Sequence, residues 1–429
     1  MKRSSIGPVL SIFVLLFLIA PSAYAEEQII APRTTLAHGN FFTTFQANSP
    51  LKRPDGSKKR IYPFYQNLEL SVADPATHIT FNTYLRGREI LNGEDRTFDV
   101  YNAFLEYKRP DNSFQVRLGR QVLTESTNFV LLDGGLVRVS PVKGIEVVAY
   151  GGYQDKDAQP DPEELERSFG IFGINLKSKE LLGAMIALGY EGIAPDGFST
   201  RQFLNFSFNR ALPYTDKADM YSRLEFDLEE GNPALFTLGM GISPAKSLYL
   251  NFEYGTYKPD DDRGAFLQDA IFDIFSTSRL HEAKIGLKYY VASYLTISSS
   301  YSYARYDVSS GNPTNGSILR VGFSWDLWQE MGLKAFQGFY FIDGRADDRA
   351  VGLNLGLSQE ILRGWDMQLN FAYAHVRTVT NQDGNAFSYI VGTNYLVLRD
   401  VALKAELEIN TNPDFKRDVR TNLGVSYYF

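Results

Sequence analysis

The sequence contains no cysteine, so neither disulfides nor thiolate metal sites hold this chain together. Histidine is scarce as well: His38, His78, His281 and His375 are the only four, and none sits at zinc-ligand spacing. Positive charge is not in excess. The 43 Lys and Arg face 50 Asp and Glu, a net charge of −7, which argues against a nucleic-acid partner. A helical membrane protein needs repeated apolar runs of about 20 residues. With 44% hydrophobic residues and a mean hydropathy of −0.21, this chain does not supply them. No phosphate-cradling glycine loop and no cofactor motif are present, so no cofactor or metal is expected.

What the chain does have is aromatic residues. Tyr and Phe number 26 and 31, the types that strands and membrane interfaces favour. A membrane wall built of strands needs only every second residue to be apolar, so low hydropathy is compatible with one. The start of the chain supplies an address. Lys2 and Arg3 precede the apolar run from Val9 to Ala20, and Ala23-Tyr24-Ala25 forms a small-x-small site. Residues 1–25 therefore read as a cleaved secretory signal peptide, with the mature chain beginning at Glu26. The apolar run is short and stops at Pro21, against an uncleaved anchor helix.

From His38 onward, alternating segments of about 9–13 residues follow one another, the length a tilted strand needs to cross a bilayer. Ile79-Phe81-Thr83-Leu85 oppose Thr80-Asn82-Tyr84-Arg86, and Leu319-Val321-Phe323-Trp325-Leu327 oppose Arg320-Ser324-Asp326. Short Pro, Gly, Asp or Asn turns (Asp74-Pro75, Arg363-Gly364, Arg399-Asp400) alternate with longer polar connections, among them 49–60, 154–167 and 260–279. The last stretch, Arg417 to Phe429 (RDVRTNLGVSYYF), puts Val419, Thr421, Leu423, Val425, Tyr427 and Phe429 on one face. This ending resembles the C-terminal strand of bacterial outer-membrane β-barrels. The resemblance implies recognition by the barrel-assembly machinery, with Tyr427 and Phe429 as the assembly residues.

The expected fold is all-β: a transmembrane antiparallel up-and-down β-barrel of about 22 strands, with 16 to 22 allowed and an even number favoured. Residues 26–37 read as a periplasmic N-terminal segment and 38–429 as the barrel. A TonB-dependent transporter would need a sizeable plug ahead of its strands, and only about a dozen residues separate Glu26 from the first one.

A barrel of this strand number encloses a lumen wider than side chains fill. Arg86, Arg88, Arg117 and Arg138 lie on expected inward faces in the early strands, with Arg120 beside them. Glu106 is a cross-strand neighbour for Arg117. Glu225, Asp227, Glu229 and Glu253 face inward several strands later. The stretch from Gln115 to Val139, with its LGRQ, LDGG and LVRV runs, resembles porin-like channels of the alginate-export type. That resemblance implies a pore-lining role for Arg117, Arg120 and Arg138. Arg120 paired with Glu125 or Asp133, merely fixing a loop, is the alternative.

In the loop 260–279, Leu267, Ala270, Ile271 and Ile274 recur at helical spacing, flanked by Phe266 and Phe275. A short helix forming a constriction is expected from Phe266, Leu267, Ile271 and Phe275. The acidic run from Asp155 to Glu166 lacks the regular spacing of a calcium loop and reads as a solvated loop, bridged by cations to lipopolysaccharide. No His-x-Ser-Asn-Gly run of barrel phospholipases is present, so no enzyme is expected. The function expected is a porin-like channel in the Gram-negative outer membrane, passing small hydrophilic solutes by diffusion. Alternatives are a selective channel for an anionic saccharide and a barrel sheathing a periplasmic electron-transfer partner. Expected partners are membrane lipid, lipopolysaccharide and the assembly machinery, with a homo-oligomer or a periplasmic protein left open.

Overall fold

The computed structural model describes residues 35–48, 51–52, 58–93, 95–124, 130–154, 169–181, 183–195, 200–212, 217–257, 280–306, 314–328, 332–344, 349–377, 383–411 and 417–429. The expected signal peptide and loop 260–279 lie outside these residues.

Strand β1 spans Leu36–Asn48, two residues earlier than the alternation had placed it. The two-residue strands β2 (Leu51–Lys52) and β3 (Lys58–Lys59) form a small hairpin in the connection that follows. Next come β4 (Pro63–Asp74), β5 (Ile79–Ile90), β6 (Arg96–Lys108), β7 (Phe114–Leu123), β8 (Val130–Val142) and β9 (Ile145–Gln154). Strands β10 (Phe169–Leu181), β11 (Ala184–Pro195), β12 (Arg201–Ala211), β13 (Ala218–Asp227), β14 (Asn232–Ala245) and β15 (Leu248–Tyr257) continue the wall. It is completed by β16 (Leu280–Ala292), β17 (Leu295–Tyr306), β18 (Thr314–Trp328), β19 (Leu333–Asp343) and β20 (Arg349–Leu362). The last four are β21 (Trp365–Arg377), β22 (Asp383–Leu398), β23 (Val401–Thr411) and β24 (Asp418–Tyr428).

Leaving aside β2 and β3, each strand pairs antiparallel with its neighbours in the chain, and β24 pairs with β1. The sheet of 22 strands is thereby closed, so no edge is left unpaired in lipid. At one end, which we term the short-turn end, pairs such as Lys143-Gly144 and Arg363-Gly364 reverse the chain. Gly144 and Gly364 adopt φ of 86° and 78°, values that side chains with a Cβ resist. The long connections lie at the opposite end, the loop end.

Period-two alternation gives each strand two different faces. Leu105 and Tyr107 on β6, Leu118 and Val122 on β7, and Leu423 and Val425 on β24 are all exposed, and with their counterparts they form a continuous apolar outer wall. An exposed apolar surface of this extent has to be covered by lipid. Tyr294, Trp328, Tyr395 and Phe429 are exposed toward the short-turn end, as an interfacial aromatic girdle requires.

The inner face is uneven. On β7–β10, Leu123, Leu132, Leu136, Val148, Tyr150 and Ile171 form one cluster with Ile193 of β11 against it, and Leu132 and Val148 are wholly shielded. Phe203, Glu191, Glu225 and Asp227 continue this sealed sector through β13. The inner faces of β18–β22 are the opposite case: Arg320, Lys334, Phe336, Asn354, Ser358, Gln368 and Asn394 are all exposed.

Glycines organise the sealed sector. Gly173 on β10 stands opposite both Tyr150 and Glu191 in the register. The Tyr150 ring lies across Gly173, where a Cβ would sit, and its hydroxyl donates to Glu191 Oε2 at 2.6 Å. The same device recurs at Gly239 on β14, crossed by Tyr221 on its way to the Glu253 carboxylate on β15. Without the missing side chain, neither phenol could span three strands.

Candidate functional site

The lumen wall is the candidate site, and the expected charged residues fall into three groups. The first is paired. Arg117 on β7 donates from Nε to Glu106 Oε2 at 2.5 Å, with its guanidinium 5.4 Å from the Phe104 ring centre. Arg138 on β8 donates to Gln115 Oε1 at 2.8 Å and stands 3.4 Å from Glu146. Asp227, at the loop end of β13, accepts from Arg201 at 2.7 Å and from the backbone N–H groups of Glu229 and Glu230. It thus ties the turn after β13 to β12. Glu253 accepts from the Tyr221 hydroxyl, and Glu225 is buried opposite Asn205. Such pairing removes most of the field that the separate charges would project into water.

The second group forms no ion pair among the described residues, although Asp99 on β6 stands opposite Arg86 in the register. Arg86 on β5 donates to the Tyr101 hydroxyl at 3.0 Å and lies 4.4 Å over the Tyr65 ring, a cation–π contact. Arg88, two residues on, shares that inner face and is exposed. This pair is the remaining basic feature among the expected early-strand arginines.

The third group does not face the lumen. Arg120 stands in an unbroken register, opposite Ala103 on one side and Asp133 on the other. It shares its face with the exposed Leu118 and Val122. Residues three apart on a continuous strand point to opposite sides, so Arg117 and Arg120 cannot both line the pore. The pore-lining expectation for Arg120 is corrected accordingly. Its guanidinium grips Asp133 with two bonds, 2.7 and 2.6 Å, and also donates to the Val100 carbonyl at 3.1 Å. The neutralised fork lies near the loop end, where a charged group on the outer face is tolerated better than at the bilayer midplane. Glu229 likewise leaves the lumen: it lies in the turn beyond β13.

The proposed constriction residues Phe266, Leu267, Ile271 and Phe275 fall outside the described residues. Tyr427 and Phe429 meet at the seam, their rings 5.7 Å apart and stacked. Of the histidines, His281 contacts the Tyr254 hydroxyl, and His375 contacts Asn385 and Asp383. Neither contact is the nucleophile–base arrangement that hydrolysis needs.

A feature not foreseen from the sequence lies at the short-turn mouth of the lumen. A cavity of about 350 Å³ is lined there by Lys334, Ser358, Glu360, Asp366, Gln368 and Asn394, with Gly332 at its rim. The clue was available: in Glu360 to Asp366 (EILRGWD), two acids bracket an Arg-Gly turn, which brings them together across a hairpin.

No family model and no curated protein matches this sequence. Solved structures do. The ferric enterobactin receptor PfeA of Pseudomonas aeruginosa, solved as a mutant, is 9% identical, with a TM-score of 0.64 over 92% of this chain and 81% of its own. The FrpB iron transporter of Neisseria meningitidis is 11% identical, with a TM-score of 0.53 over 91% and 82%. A BenF-like porin of Pseudomonas fluorescens is 12% identical, with a TM-score of 0.45 over 92% and 98%. At these identities the likeness to the receptor and the iron transporter is one of fold alone, that of an outer-membrane barrel; this chain forms a closed antiparallel barrel of 22 strands with an apolar outer wall.

Proposed function

We propose that the chain is a passive outer-membrane channel for small hydrophilic solutes. The observation that carries this reading is the open inner wall of β18–β22, where charged, amide and hydroxyl side chains are exposed to the lumen. A wetted polar lining along a closed barrel provides a route on which a hydrated solute exchanges water for wall contacts at little loss. The arginines that would favour an anionic saccharide are mostly engaged: Arg117 and Arg138 each face a glutamate. This supports weak selectivity over dedicated anion transport. Signal-peptide removal after Ala25 and docking of the final strand by the assembly machinery belong to the same proposal, as do lipid and lipopolysaccharide contacts around the outer wall.

The test is conductance of the purified full chain in a planar bilayer, together with swelling of proteoliposomes in small sugars and amino acids. Stepwise ohmic openings and size-limited swelling are expected. A silent bilayer with correctly folded protein would overturn the reading in favour of a gated or energised transporter.

A further inference from the structure

The cavity at the short-turn mouth contains an arrangement that sheet formation alone does not explain. Glu360 on β20 and Asp366 on β21 stand directly opposite each other in the register, on the inner face, and both are exposed. Directly opposed side chains have Cβ atoms about 4.5–5.5 Å apart, and like charges at that spacing destabilise a sheet. Glu360 Oε1 accepts the Gly364 backbone N–H at 3.1 Å, yet among the described residues neither carboxylate forms an ion pair. Asp366 faces Asn394 across the next strand pair, and Gln368 faces Ser358. Lys334 stands opposite Ser358 and so lies diagonal to Glu360, roughly 7–8 Å away and within reach of a long side chain. On its other side Lys334 stands opposite Asp326. Two carboxylates against one ammonium leave the cavity lining acidic. Its volume of about 350 Å³ suits a small molecule.

We propose that this cavity is a binding subsite for a solute bearing an alkylammonium group. The ammonium sits between Glu360 and Asp366, where it relieves the repulsion between them and donates to both. Gln368, Asn394 and Ser358 take neighbouring polar groups, and Lys334 receives the carboxylate when the solute is a zwitterion. A hard divalent cation fits less well, because it takes six to eight oxygen ligands. Among the described residues, no three His, Cys, Asp or Glu converge as metal ligands.

This rests on the channel reading only in placing the subsite on the solute path, and binding can be measured apart from conduction. The full chain in detergent is titrated calorimetrically with putrescine, L-lysine, succinate, sucrose and calcium chloride, and the same solutes are added to single channels. Saturable binding of putrescine and L-lysine is expected, weakened at least about tenfold in Glu360→Gln and in Asp366→Asn. Lys334→Met should weaken L-lysine and spare putrescine. Succinate and sucrose should give no saturable heat.

Amine binding that is unchanged in both acid variants overturns the proposal, and so does its absence from a heat-modifiable, folded wild type. Calcium binding that putrescine fails to displace overturns it in favour of a metal site. Calorimetric binding on a silent bilayer removes the channel reading and leaves the subsite standing. Conductance without amine binding does the reverse.

Discussion

Phe429 and Gly39 close the barrel as a matched pair. Their backbones exchange two hydrogen bonds, Gly39 N–H to the Phe429 carbonyl at 2.9 Å and Phe429 N–H to the Gly39 carbonyl at 3.1 Å. A Cβ on residue 39 would meet both the Glu69 carbonyl oxygen at 2.5 Å and the Phe429 ring, whose Cζ lies 2.6 Å from that point. The seam between β1 and β24 thus carries a lock at its short-turn end.

The first expectation is that Gly39→Val disrupts this lock as effectively as loss of the terminal ring. Outer-membrane fractions run unheated on gels should show less of the compact, heat-modifiable species for Gly39→Val and for Phe429→Ser. Gly87→Ala, where an added Cβ would meet only the Gln66 carbonyl oxygen at 3.9 Å, should run like wild type. Normal amounts of compact barrel in both seam variants would separate closure from these two residues.

A second expectation concerns the lipid face. Leu423 is exposed on the outer wall, while Asn422 donates to Glu406 on the inner wall at 2.9 Å. Leu423→Arg should cost roughly 2–4 kcal/mol of folding stability if it lies near the bilayer midplane. Asn422→Arg gains a carboxylate neighbour instead and should be mild. Urea titration into lipid vesicles reads both; equal losses would mean the alternation is misassigned.

Removing the Tyr150 hydroxyl tests the device at Gly173. Tyr150→Phe leaves a nearly fully buried Glu191 carboxylate one donor short, a loss of about 1–3 kcal/mol. Tyr303, exposed on the outer wall, should lose little as Tyr303→Phe. The same denaturation assay discriminates, and equal effects would assign the stability to the ring alone.

Ion selectivity should respond with opposite sign to the two halves of one pair. Glu106→Gln frees Arg117 and should move the reversal potential under a salt gradient toward anions. Arg117→Met frees Glu106 and should move it toward cations. Arg86→Ala with Arg88→Ala should also favour cations. These shifts should shrink as salt shortens the Debye length from about 10 Å at 0.1 M. No movement in any variant at low salt would mean the path avoids this wall.

Much of the architecture was readable from alternation and turn chemistry. The segments 134–140 and 235–242, whose alternation is weak, are parts of β8 and β14, and the count reaches 22 with them included. Arg117 with Glu106 was foreseeable, because a hairpin sets that register. Arg120 shows how a local motif misleads. The glycine before it, at φ 124°, suggests a bulge that would turn the arginine inward, yet the pairing runs on without a shift. Contacts through Gly173 and Gly239 span three strands, so they depend on two registers at once and no single segment displays them. The opposed acids at Glu360 and Asp366 needed only the hairpin, but nothing in their own strands marked them as more than solvated charges.

The sealed sector of β7–β13 has a hydraulic consequence. A ring of 22 strands implies a uniform bore, but one flank carries close-packed side chains shielded from water while the β18–β22 flank exposes polar ones. Hydrated solutes should therefore keep to the β18–β22 flank, where wall contacts replace lost water. Enlarging side chains on that flank should slow passage more than the same changes on the sealed one.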